Sequence, residues 1–475
     1  MTIRLLCMLS LSACMTFISC AKEDDTQEEG NSEIQINLAN DEAVPVDGVV
    51  EIQMTINNFE NLDYLKVVKE TNYGKLPAKH GKALLTDRFT YVYLMKETDP
   101  EKVTLEFTAY DTEGKASKSR SVRITNLGLN RTKDLKLSNL QCLSRVTGAE
   151  DNGHDGLPTV KYTLNNRTDL KFNVGGTDLG IIWEMSENKF GMFFGDTYGA
   201  DFKPNHAAPG PNGGSWRSNV ILLSNDTELS NGLTINGAVM EGNQAKEICF
   251  SAHNTSGTGD WTSIPTAAIH AGNADYVHYM NIKTWTGWVT NYSSLYKSTD
   301  GGKDWDRVNG VNFSGDSNFG QCGYYKNNGK VYMMATQTGR DGMPYLARFN
   351  EKDIEDTGKY EFWNGFGWVT GKENAATPLF NDKVGELSFS YMPELKKWVL
   401  LYFNGTRYEI SMRYADNVEG PWSEPVQVAS GRDWPQLYGS FIHPLSKKGT
   451  TLYFIMSMWL PYNTYLMSID LKASK

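Results

Sequence analysis

The stretch Gly176-Thr177-Asp178-Leu179-Gly180-Ile181-Ile182-Trp183-Glu184 returns four times downstream in altered form. Its counterparts begin Ile264-Pro265-Thr266-Ala267, Phe319-Gly320-Gln321-Cys322, Val384-Gly385-Glu386-Leu387 and Leu437-Tyr438-Gly439-Ser440. Each copy opens a unit of roughly 45 to 65 residues: a short apolar strand, a Gly- or Asn-centred turn, an aromatic-rich strand, then a third strand. A small antiparallel sheet of this kind cannot bury both faces alone, and such units stack radially as blades. The expected fold is all-β: a five-bladed β-propeller, preceded by a smaller sandwich.

That reading says where chemistry can collect. Antiparallel neighbours run back past each other, so the start of the first strand, the end of the second and the start of the third share one edge. One rim therefore gathers Asp178 and Asp196 from unit one and Glu386 from unit four. Cleaving a glycosidic bond needs one carboxylic acid to protonate the leaving oxygen and one carboxylate as base or nucleophile. Crowded like charges in a partly dry funnel raise one member's pKa, which keeps a carboxyl protonated near neutral pH. Glu386 is expected as the acid, Asp178 as base or nucleophile and Asp196 as the tuning residue, with Asp178 and Asp196 interchangeable at this level.

The third-strand starts bring Arg217, Asn219, Asn291 and Asn463 toward the same opening as candidate donors to sugar hydroxyls, while Trp459 and Tyr438 offer flat faces for a sugar ring. His278 and His443 are further candidates for substrate contact. No CxxC or Cys/His metal spacing occurs, so neither a metal nor another cofactor is expected.

Of 475 residues, 12% are aromatic and 44 are Gly, and the formal charge is −10. The length accommodates a propeller plus a module of about 100 residues. A net negative chain without a basic stripe argues against nucleic acid as a partner. Residues 1–20 read as an export signal: Arg4, an apolar run too short for a permanent span, and Phe17-Ile18-Ser19-Cys20, which resembles a bacterial lipobox. Cys20 would carry lipid and tie the chain to a membrane, placing it at the outer membrane or cell surface and facing the exterior or the periplasm. The acidic residues 21–31 form a tether. With Cys7 and Cys14 lost with the signal, Cys142, Cys249 and Cys322 are an odd, widely spaced set that cannot be a disulfide framework.

Residues 32–126 alternate in strand fashion, as in Val50-Glu51-Ile52-Gln53-Met54, between turns such as Asp47-Gly48, and read as an immunoglobulin-like sandwich serving as a spacer. Residues 127–137 form a linker, and the propeller spans 138–475. Because unit five ends after its third strand, residues 138–146 are expected to supply its missing outer strand. Ser298-Thr299-Asp300-Gly301-Gly302-Lys303-Asp304-Trp305 follows the S-x-D-x-G-x-x-W Asp-box pattern of sialidases, a turn expected at the end opposite the carboxylates.

Several stretches, among them Gly176-Thr177-Asp178-Leu179-Gly180, Phe194-Gly195-Asp196-Thr197, Trp216-Arg217-Ser218-Asn219, Gly385-Glu386-Leu387-Ser388 and Pro461-Tyr462-Asn463, resemble domain-of-unknown-function family 4185, associated with the endo-D-arabinanases of glycoside hydrolase family 183. The resemblance covers roughly residues 140 to 471. It implies a five-bladed propeller that hydrolyses D-arabinofuranosyl linkages of an arabinan-type polysaccharide. Two other readings stand beside it. One is a non-catalytic glycan-binding propeller; the other is a sialidase-like exo-glycosidase, which would need converging arginines from among Arg217, Arg340, Arg407 and Arg413.

Overall fold

In the computed structural model the described residues are 32–43, 45, 49–71, 74–94, 99, 102–125, 135–149, 163–164, 166–204, 211–212 and 214–473. The export signal, with the lipid site expected at Cys20, and the acidic tether lie outside them.

Two kinds of strand separate the two parts of the chain. Val49–Asn57 alternates buried and exposed positions, the signature of a sheet with one face in a core and one in water. It pairs with Gln35–Leu38 and Arg88–Leu94 in a three-stranded sheet, which faces a five-stranded sheet of Glu42–Ala43, Arg120–Thr125, Lys102–Asp111, Leu62–Thr71 and Gly74–Gly81. Ile52, Met54, Leu65, Val67, Phe107 and Val122 fill the space between them. This is the immunoglobulin-like sandwich. It is not isolated from the rest of the chain, because Phe366 of the propeller packs on its core beside Tyr91.

The second kind of strand is buried on both faces. Thr262–Ala271 and Lys397–Asn404 are buried along almost their whole length, because each blade is covered by a neighbour on either side. That is why these strands read as near-continuous apolar runs. Five sheets of four or five strands, antiparallel but for one two-residue pairing, follow one another. Their inner strands are Leu179–Ser186, Thr262–Ala271, Gln321–Asn327, Leu387–Met392 and Leu437–Ile442; each packs on the next, and the last returns to the first. The ring is a five-bladed propeller.

Closure comes from the N-terminal side. Leu135–Arg145 pairs antiparallel with Asn463–Ala473 and becomes the fourth strand of blade five, starting at Leu135 rather than at Ser138. The outer edge of Asn463–Ala473 is thereby paired, which removes that exposed sheet edge. A two-residue strand, Thr163–Leu164, adds in parallel outside it.

The Asp-box turn lies at the end of the ring away from the carboxylates. Ser298 donates to Asp300, whose carboxylate accepts the Lys303 and Asp304 amides, and the Trp305 indole N–H donates to Gly302 O. Trp305 meets Trp183 edge-on, and Trp183 donates to Asp275 at the far hairpin of blade two. Cys142, Cys249 and Cys322 are all buried, and none of them forms a disulfide among the described residues. Among the described residues no helix is long and apolar enough to cross a membrane.

Candidate active site

At one mouth of the ring a cleft of about 550 Å³ is lined by Asp178, Asp196 and Glu386 together with Arg340, Tyr438, Tyr462 and an apolar, aromatic wall. The three carboxylates, two from blade one and the third from blade four, thus share one opening.

Backbone irregularities aim them. Asp178 is followed by Leu179 at φ 68 and Gly180 at φ 87, and the pairing with the second strand slips between Leu179 and Ile181. Such a β-bulge turns a side chain out of the sheet's ordinary alternation and into a site. A Cβ at position 180 would also lie 2.8 Å from Ile455, so glycine suits this place twice over. The inner strands of blades two and five slip at the matching level, between Pro265 and Ala267 and between Tyr438 and Ser440. These bulges present Thr266 and Tyr438 to the same cleft. Just past the second strand of blade one, Gly195 lets the Asp178 carboxyl come close: a Cβ there would sit 2.3 Å from Asp178 Oδ1.

The environments of the three acids differ. Asp178 borders the cleft, yet its Oδ1 is sealed from solvent without a hydrogen-bond partner, while Oδ2 accepts from the Tyr438 hydroxyl at 2.8 Å. Burial, then the Asp196 charge, pushes its pKa up to about 7; the Tyr438 hydroxyl works against that rise, as does the Tyr462 hydroxyl, and the Glu386 charge adds to it. Asp196 is buried as well, and burial lifts it to about 6 against the pull of Thr262 and Trp216. Both of these donors go to one oxygen, Oδ1: Thr262 Oγ1 at 2.6 Å and Trp216 Nε1 at 2.8 Å. Glu386 instead meets a cation. Arg340 donates from Nη2 at 2.7 Å and from Nε at 3.1 Å and 3.3 Å, a charge-assisted fork across both oxygens. The Arg340 guanidinium lies near the faces of Phe403, Trp288 and Tyr438, at 4.9 to 5.3 Å from their centroids.

Other residues expected at the opening divide sharply. Tyr438 and Trp459 line the cleft. Arg217 does not: its guanidinium is spent on the carbonyls of Ser215, Ala245 and Asn173. Asn219 is fully buried and ties the Cys249 and Ser263 carbonyls to the Ile248 and Cys249 amides. Asn291 donates to Gly259 O and Asn281, and Asn463 donates to Pro461 O and accepts from Thr147. These side chains satisfy the backbone of loops between blades, which a rim position demands as often as it demands ligand contact. His278 and His443 are fully buried and held uncharged, each pushed by burial down to about 3. His278 bonds Thr266, and His443 accepts from the Leu445 amide at the start of a short 3-10 turn. The substrate-binding expectation for Arg217, Asn219, His278, Asn291, His443 and Asn463 is corrected accordingly: none lines the cleft.

The arginines do not form a carboxylate-gripping triad. Arg407 and Arg413 both converge on Asp382, and of the four candidates only Arg340 reaches the cleft, where Glu386 occupies it. The pocket also holds residues that the sequence reading passed over, Trp285 and Trp288, from the turn between the second and third strands of blade two. Their rings meet edge-on at 5.1 Å. Two tryptophans in Trp285-Thr286-Gly287-Trp288, a turn on the rim side of its blade, are the signal that could have flagged them.

Fold and site together define a five-bladed propeller with an acidic, aromatic-walled cleft at one mouth. The chain belongs to the DUF4185 family, the domain of unknown function whose model matches residues 163–468. It is 29% identical over 308 residues to notoamide biosynthesis cluster protein J' of Aspergillus versicolor, covering 61% of this chain and 82% of that protein. Among solved structures it is similar to an alpha-L-arabinofuranosidase from Podospora anserina (TM-score 0.37, 12% identity, 72% of this chain and 97% of that one). A family 117 glycoside hydrolase from Zobellia galactanivorans has a TM-score of 0.39 at 12% identity, covering 72% of this chain and 91% of that one.

Proposed function

We propose that the protein is a glycoside hydrolase that cleaves furanosidic linkages in an arabinan-type polysaccharide, with endo-D-arabinanase-like action, at the cell surface or in the periplasm and anchored through lipid on Cys20. The observation that carries the reading is the pairing of Asp178 with Asp196. One carboxyl borders the cleft, has an oxygen, Oδ1, that is sealed without a partner, and is raised to about 7; its neighbour has one oxygen fixed by two donors. Two nearby acids in unlike environments are what acid and base roles require.

In this reading Asp178, protonated near neutrality, donates to the departing sugar oxygen, and Asp196 through Oδ2 serves as base or nucleophile on the opposite side of the ring. This reverses the expectation that Glu386 donates, because both of its oxygens are engaged by Arg340. Glu386 and Arg340 together fix the charge of the cleft floor, and Trp285, Trp288 and Trp459 supply stacking faces for sugar rings. The experiment is incubation of the full-length protein with D-arabinan and, separately, with L-arabinan, followed by chromatography of released oligosaccharides. Release from D-arabinan supports the reading; no product from either polymer refutes it, and binding without new reducing ends points to a glycan-binding propeller instead.

A further inference from the structure

Behind Asp196 lies a second layer of polar side chains that never touches the cleft. Trp216, whose indole N–H donates to Asp196 Oδ1, has its other side against His253, with ring centroids 4.2 Å apart. His253 Nε2 lies 2.8 Å from Glu247 Oε2 and 3.3 Å from Ser218 Oγ. Glu247 is itself anchored, accepting from the Ser218 amide at 2.7 Å and the Ser251 amide at 3.3 Å. His253 adopts φ 54, a left-handed conformation that a side chain of this size enters at a cost. A residue kept there by its side-chain partners is one whose position the surroundings over-determine.

We propose that His253, seated on Glu247, is a positioning residue that buttresses the Trp216 indole and thereby holds Asp196 with Oδ2 toward the cleft. The proposal rests on the role given to Asp196 above. Its physical content is a relay of contacts: Glu247 fixes the imidazole, the imidazole fixes the indole, and the indole N–H fixes one carboxylate oxygen so that the other is oriented. Without the imidazole the indole has room to tilt, and a carboxylate displaced by even a fraction of its working distance loses rate.

The arrangement also couples Asp196 to charge. A protonated His253 favours the ionised form of Asp196, and Glu247 opposes it. The other charged groups around the layer are Arg217, which feels the Glu247 charge, and Asp260, which accepts from Ser251. His253→Ala therefore removes the support of the indole whose N–H favours the ionised form of Asp196, whereas His253→Gln keeps a hydrogen-bonding group facing Glu247.

The test compares wild type, His253→Ala and His253→Gln by kcat and KM on D-arabinan across pH. It also follows the pH titration of tryptophan fluorescence, taken as the difference from Trp216→Phe, with melting temperatures recorded for each. Expected are a kcat about tenfold lower in His253→Ala with KM within about twofold, and recovery of most of that loss in His253→Gln. The acid limb and the midpoint of the Trp216 signal should move to higher pH in His253→Ala, since a tilted indole donates less well to ionised Asp196, and should return toward wild type in His253→Gln. Unchanged kcat and an unmoved Trp216 titration in a folded His253→Ala protein would overturn the proposal. If wild type cuts no polymer and the Trp216 midpoint moves in His253→Ala but returns in His253→Gln, the buttress stands and the hydrolase reading fails.

Discussion

Replacing Tyr438 by Phe isolates one hydrogen bond. The Tyr438 hydroxyl donates to Asp178 Oδ2 at 2.8 Å and favours the charged carboxylate, so it holds the pKa of Asp178 below what burial alone would give. A hydrogen bond to an ionised group contributes about 1.5–3 kcal/mol, and one pKa unit corresponds to about 1.4 kcal/mol. The Tyr462 hydroxyl also acts on Asp178 and takes up part of the loss, so the net shift should be about one unit. From a starting value of about 7, the proton would then stay on Asp178 to about pH 8. The ring of Phe still faces Arg340 at the centroid distance of 5.3 Å, which leaves the Glu386 pair in place. If Asp178 is the acid, the alkaline limb of kcat/KM moves up by about one unit, and the variant outperforms wild type above that limb. The assay is initial reducing-end release across pH 5 to 10. A limb that stays where it is, or moves down, refutes the assignment of Asp178 as the proton donor.

Further predictions follow from the same geometry. Asp178 binds its proton more tightly folded than unfolded, since about 7 exceeds the ordinary 3.8, so its own contribution to stability is fully present below about pH 4 and is lost as pH rises through 7. Asp178→Asn should therefore melt higher than wild type at pH 8, with the gap closing near pH 4. Its ceiling is about 4 kcal/mol, reduced because Asp178 borders the open cleft and shares the effect with Asp196; calorimetry at both pH values checks this. Gly195→Ala would put a Cβ 2.3 Å from Asp178 Oδ1 and should cut kcat at least about tenfold while circular dichroism stays native. Trp285, 37% exposed at the cleft edge, offers stacking area; Trp285→Ala should raise KM about fivefold, a loss of about 1 kcal/mol, with kcat little changed.

Much of this was legible in the chain because strand order is. The repeated openings fix which ends of which strands meet, and that alone brings Asp178, Asp196 and Glu386 to one mouth. The outer strand of blade five was legible for the same reason: a closed ring leaves an edge that only the N-terminal segment can fill. What strand order does not carry is side-chain direction at a rim. Arg217, Asn219 and Asn463 sit near the mouth in chain terms, yet loops crossing between blades leave carbonyls and amides that these side chains satisfy. The bulges after Asp178 and Tyr438 break the alternation that any reading of orientation relies on, and Gly180 and Gly439 are their traces in sequence. Arg340 could be named only as one of four arginines, and not as the partner of Glu386, because the stretch that carries it reaches Glu386 of the next blade through space and not through any repeat.

The central claim is that paired aspartates at the propeller mouth cut a sugar polymer, and the most direct measurement is the initial rate of reducing-end formation on D-arabinan by wild type, Asp178→Asn and Asp196→Asn at pH 6. The account predicts measurable wild-type turnover and a loss of at least about 10²-fold in each variant. Turnover by either variant at the wild-type rate would contradict it.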